Sequence, residues 1–127
     1  MGFSLLGTGA AYPALRVTNH DLTRMLDTSD EWIRTRTGVA ERRILTEETL
    51  EDLARDAARA ALADAGTSPG ELDLILCATV SGSYATPSLA CLVQEALGAT
   101  CPAMDINAAC TGFLYALDVA EGYFARK

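Results

Sequence analysis

Hydrophobic positions along the chain follow two periods, and each change of period marks a predicted element. Residues 3–6 form a short apolar run into Gly7-Thr8-Gly9-Ala10-Ala11-Tyr12-Pro13, the pattern of a buried strand entering a turn. Asn19 is placed to cap a short helix over residues 21–26. Thr28 or Ser29 can cap a second over residues 30–36, which Gly38 would end. Behind Thr49 and Asp52, spaced as a capping box, Leu50, Leu53, Ala54, Ala57, Ala61, Leu62 and Ala65 recur at helical spacing until Gly66. Residues 72–80 are almost continuously apolar, as in a central parallel strand buried on both faces. Thr86-Pro87 then reads as an N-cap with proline at the first helical position. Leu89, Leu92, Val93, Ala96 and Leu97 follow on one face and Gly98 closes the helix. Residues 102–107 read as another strand, and a last helix carries Phe113, Leu117, Ala120 and Phe124 on one side. This order predicts an α/β layer structure around a mainly parallel sheet.

Composition sharpens that picture. With 127 residues, 50% of them hydrophobic, and only 10 Gly and 4 Pro, the chain is one domain-sized globular unit and not a disordered segment. A net charge of -7 argues against a general nucleic-acid or anionic-membrane binder. The exception is local: residues 34–43 hold four arginines (Arg34, Arg36, Arg42, Arg43) against one acid, Glu41. Residues 47–73 are acidic and read as the solvated face of the long helix. No apolar run is long enough to cross a bilayer, and the start lacks a signal-peptide pattern, so a soluble cytoplasmic protein is expected. Cys77, Cys91, Cys101 and Cys110 contain no C-x-x-C pair, and the single His20 is remote from them, which argues for free thiols and against zinc.

Cys110 stands where a strand gives way to a helix, among small Ala108, Ala109 and Gly112 that allow a sharp turn and close substrate approach. A helix N-terminus favours the thiolate, the reactive form of cysteine, and its N–H groups can stabilise an oxyanion. A thioester substrate suits such a site. On spacing alone, a small buried hydrophobe remains the other reading. Trp32 and Arg36 lie four apart on one helical face, with Thr28 just upstream. Core packing of the indole and a solvated arginine is one reading; indole stacking on a base with the guanidinium on phosphate is the other.

Longer motifs decide between these. Asp27-Thr28-Ser29-Asp30-Glu31-Trp32-Ile33-Arg34-Thr35-Arg36-Thr37-Gly38 resembles the N-terminal signature of β-ketoacyl-acyl-carrier-protein synthase III, and Asp105-Ile106-Asn107-Ala108-Ala109-Cys110-Thr111-Gly112-Phe113 resembles the nucleophile segment of the same family. Gly7-Thr8-Gly9 with Tyr12-Pro13, and Thr86-Pro87-Ser88, fall in the family's order. The resemblance implies a thiolase-like fold of α-β-α-β-α layers, with residues 1–127 forming the N-terminal half only and the C-terminal half absent. It implies Cys110 as the nucleophile that takes an acyl group from acyl-CoA, Thr28, Trp32 and Arg36 as coenzyme A contacts, and Thr86 at the floor of an acyl pocket across a homodimer. Malonyl-acyl-carrier protein would be the second substrate, with no cofactor in the strict sense, no metal, no nucleic acid and no membrane partner. The family's catalytic histidine and asparagine lie in its C-terminal half, and neither His20 nor Asn107 matches them, so this chain alone is expected not to complete the condensation. Thr86 is smaller than the aromatic many members carry there, which implies room for primers longer or more branched than acetyl. A secondary-metabolism starter-unit condensing enzyme and a non-catalytic, self-associating fragment are the rival readings. Arg34, Arg42 and Arg43 are expected to be surface charge, and Cys77, Cys91 and Cys101 to be core or structural.

Overall fold

The computed structural model describes residues 3–126, which cluster into two compact units. One comprises the described residues up to Ala11 together with those from Leu50 onward; the other is Tyr12–Thr49.

In the larger unit the long helix, α3 (Leu50–Ala65), occupies the span its apolar spacing predicts, and Gly66 ends it at φ 63°. Strands β3 (Ile75–Ala78) and β4 (Ala103–Ile106) pair in parallel, with Cys77 opposite Asp105 and Ala78 opposite Ile106. The crossover between them is helix α4 (Leu89–Leu97), whose Leu89, Ala90 and Val93 are buried. Ser88 caps α4 by accepting the Cys91 N–H. Thr86 is therefore not the cap: the Thr86–Pro87 peptide is cis, and the helix begins after it. Helix α5 (Gly112–Arg126) follows β4, but Phe113 and Phe124 of its expected buried face are more than half exposed.

Residues 3–6 correct the expectation of a first core strand. They join neither sheet, and Leu5 and Leu6 are largely exposed. An apolar run becomes a strand only when a ladder takes up its backbone groups. What fixes this stretch is α3: a Cβ on Gly7 would lie 2.5 Å from the Ala65 nitrogen, and one on Gly9 would lie 2.2 Å from the Ala57 carbonyl oxygen. The two glycines thus permit backbone-to-backbone packing on the alanine stripe of α3, and the Thr8 N–H donates to Asp64 at 2.8 Å.

The smaller unit holds an antiparallel pair that the apolar pattern does not announce, because its strands are polar: β1 (Leu15–Thr18) beside β2 (Glu41–Ile44), with Leu15 opposite Ile44. Helix α1 (Asn19–Leu22) is capped by Thr18, not by Asn19, through a reciprocal box with Asp21. Helix α2 (Asp30–Thr37) begins at Ser29, which accepts the Trp32 N–H at 3.0 Å, and ends at Gly38 with φ 73°. Ile33 is its buried anchor.

No helix among the described residues is long and apolar enough to cross a membrane.

Candidate active site

Cys110 is exposed and sits in the middle of a single 3-10 turn, Ala109–Thr111, between β4 and α5. Exposure removes the reading of a buried packing residue. The turn is tight: both the Thr111 N–H (3.1 Å) and its hydroxyl (2.8 Å) donate to the Ala108 carbonyl. Ala109 takes φ 44°, a left-handed conformation that costs a non-glycine residue about 1–3 kcal/mol and recurs at functional turns. Gly112 is buried, and a Cβ there would come within 3.3 Å of the Ala78 Cβ at the end of β3. A bare backbone at 112 lets the turn press onto the sheet end while Cys110 faces outward. This is the logic of a nucleophile elbow, with the strained residue immediately before the sulfur.

Asp105, five residues upstream, is a determinant that the apolar pattern conceals. Its carboxylate accepts the N–H groups of Leu89 (3.0 Å) and Ala90 (2.8 Å), tying β4 to the start of α4. The visible signal is an acid inside an otherwise apolar strand, which calls for a partner. Opposite it, burial pushes the Cys77 thiol up to about 11, assisted by the Asp105 charge and by Cys91. Cys77 is thus held as an unreactive thiol. Cys101 is buried, and the half-buried Cys91 accepts a hydrogen bond from the Ser88 hydroxyl at 3.2 Å. Thr86 is exposed in the segment between β3 and α4.

The second cluster lies within the smaller unit. Asp27, Thr28, Ser29 and Trp32 line an open cavity of about 360 Å³. Trp32 is 57% exposed, so it is not a core residue, and the Arg36 guanidinium lies 5.7 Å from its ring centroid. Thr28 and Trp32 thus share one cavity, and Arg36 lies beside the indole. Of the neighbouring arginines, Arg34 is exposed, as expected of surface charge, with its Nε donating to both carboxylate oxygens of Asp30 at 2.8 and 2.9 Å, whereas the half-buried Arg42 departs from that expectation by donating to Asn19 at 2.6 Å. They organise this unit. The exposed Arg43, which donates to the Ala14 carbonyl at 3.3 Å, likewise keeps the surface-charge expectation.

Comparison with known proteins follows these motifs. No family model matches the chain. The β-ketoacyl-acyl-carrier-protein synthase III of Aquifex aeolicus is 52% identical over 124 residues, covering 97% of this chain and 40% of the relative. By sequence and by fold, the chain matches β-ketoacyl-acyl-carrier-protein synthase III. A synthase III of Bacillus anthracis is 50% identical over 126 residues, with the same two shares. The solved Aquifex aeolicus synthase III superposes with a TM-score of 0.94 at 51% identity, covering 98% of this chain and 41% of that one. The priming β-ketosynthase of the R1128 polyketide pathway superposes at 0.85 with 38% identity, covering 91% and 35%. The thiolase-like α/β fold is thereby established for the part present. The chain spans about 40% of the length of the curated synthase III relatives it matches.

Proposed function

We propose that this chain is the nucleophile-bearing, N-terminal part of a 3-oxoacyl-acyl-carrier-protein synthase III that initiates type II fatty-acid synthesis in the cytoplasm as a homodimer. The observation that carries this is Cys110, exposed on a strained turn between the sheet end and α5.

The chemistry is acyl transfer in two stages. The Cys110 thiolate attacks the carbonyl carbon of an acyl-CoA thioester. The carbonyl re-forms, the C–S bond to coenzyme A breaks, and coenzyme A leaves as the thiol after taking up a proton. Malonyl-acyl-carrier protein then loses carbon dioxide, and its α-carbanion attacks the acyl-Cys110 carbonyl. A C–C bond forms, the acyl–sulfur bond breaks, and the Cys110 thiolate returns as 3-oxoacyl-acyl-carrier protein departs. Trp32, Thr28 and Arg36 take the nucleotide end of coenzyme A: the indole for the base, the guanidinium for phosphate and the hydroxyl for a polar edge. No cofactor is needed for either stage. The histidine and asparagine that assist decarboxylation in this family are matched by neither His20 nor Asn107.

Intact mass spectrometry before and after brief exposure to acyl-CoA tests this, with Cys110→Ser as control. An acyl adduct present in the parent and absent in the variant is expected. An adduct that survives the substitution would refute Cys110 as the nucleophile.

A starter-unit condensing enzyme of polyketide type is a second reading, favoured by the similarity to the priming ketosynthase and by the small Thr86. In the full-length enzyme, acylation with isobutyryl- and octanoyl-CoA at rates comparable to acetyl-CoA is the expected outcome if Thr86 leaves the pocket roomy. Strict acetyl preference counts against it.

A further inference from the structure

We propose that Asn19 is a positioning residue for coenzyme A, an inference that rests on the assignment of Thr28, Trp32 and Arg36 to that ligand. Asn19 is the buried polar side chain among the described residues, at 1% exposure. Its amide nitrogen donates to the Asp30 carboxylate at 2.8 Å and to the Val39 carbonyl at 2.8 Å, and its amide oxygen accepts from Arg42 at 2.6 Å. Its backbone N–H donates to the Ala40 carbonyl at 3.3 Å.

The two nitrogen bonds define the function of this residue. Asp30 is the first residue of α2, and Val39 follows the Gly38 that ends it. One amide group therefore holds both ends of the helix that carries Trp32 and Arg36. The cavity wall, Asp27-Thr28-Ser29, runs directly into Asp30, so fixing that carboxylate also fixes the wall. Arg34 grips the Asp30 carboxylate from the next turn and completes its orientation. On the other side, the Thr18–Asp21 capping box sets where Asn19 itself stands.

Few side chains can substitute. The site needs two donors and one acceptor on a short stem, which asparagine supplies. Aspartate would offer no donor and would set a second carboxylate against Asp30. Alanine would leave the Val39 carbonyl and the Arg42 guanidinium without this partner.

Trp32 is the single tryptophan of the chain, so its fluorescence reports this cavity alone. Free coenzyme A is titrated into the chain and its Arg36→Ala, Asn19→Ala and Asp30→Ala variants, at a temperature where far-UV circular dichroism shows each to be folded. Coenzyme A is expected to quench Trp32 in the parent. Asn19→Ala is expected to raise Kd about tenfold, the scale of one orienting hydrogen bond, and to shift the ligand-free emission. Asp30 is exposed, so Asp30→Ala serves as the deciding variant if Asn19→Ala does not fold. Removing a carboxylate near a polyanion should by charge alone tighten binding, so a weaker complex has to arise through position. Unchanged or tighter binding by folded Asn19→Ala, or by Asp30→Ala where the former fails to fold, overturns the proposal while leaving the site assignment in place if Arg36→Ala binds weakly. Absence of binding by the parent chain overturns the assignment and the proposal with it.

Discussion

Gly9→Ala is the substitution by which the packing of the N-terminal segment is most sharply tested. The new Cβ would lie 2.2 Å from the Ala57 carbonyl oxygen and 2.3 Å from the Ala61 nitrogen, more than 1 Å inside ordinary contact at 3.4 Å. Both obstacles are backbone atoms of α3 and cannot rotate away, so the segment has to lift off the helix. Forced overpacking of this kind costs about 1–3 kcal/mol. Lifting also stretches the Thr8 N–H bond to Asp64, 2.8 Å long and solvent-exposed, worth up to about 1 kcal/mol after screening. A loss of about 1–4 kcal/mol is therefore expected, read from urea unfolding followed by far-UV circular dichroism, which α3 and α5 dominate. Gly122→Ala is the matched control: it lies in α5 with nothing within 4 Å of the added carbon, and should stabilise by about 0.5–1 kcal/mol through helix propensity. A Gly9→Ala midpoint within error of the parent would refute the close approach and with it the reason for a glycine there.

Three further outcomes concern Asp105 and Cys77. Asp105→Ala leaves the Leu89 and Ala90 N–H groups without their carboxylate and should cost about 1–2 kcal/mol in thermal unfolding; no loss would mean that water replaces the bond fully. For Cys77 the folded thiol ionises near 11 against an ordinary value of 9.0, so between those values the unfolded chain gives up a proton that the folded chain keeps. Stability is therefore untouched below pH 9 by this group and falls as pH rises toward 11, and Cys77→Ala should flatten that decline. Peptide mapping after alkylation at pH 8 should find Cys77 unmodified in the folded chain, since its thiolate fraction is about one in a thousand; prompt labelling there would contradict the burial.

Local sequence was sufficient wherever one helix or one turn carried its own signal. The Leu50–Ala65 helix, the Gly38 and Gly98 stops and the position of Cys110 after a strand all follow from spacing, because periodicity, caps and positive-φ glycines act over a few residues. The long motifs around Trp32 and Cys110 also fixed the similarity to synthase III, since two ordered signatures are specific without any coordinates. Interactions between distant segments were beyond that reach. Polar β1 and β2 pair through their backbones, which no apolar alternation announces, and residues 3–6 have strand composition without a ladder. Asn19 and Thr18 are both good caps by propensity, and only the capping box with Asp21 assigns the role to Thr18 and frees Asn19 to be buried. Arg34, Arg42 and Asp105 read as charges until the fold gives each a partner 15 or more residues away or one turn along the helix. The sequence by itself determined the similarity to synthase III and named the candidate residues, because both reside in side-chain type and local motif. The tertiary structure alone decided which of them are exposed, strained or clamped, because burial and hydrogen-bond partners are properties of segments brought together by folding.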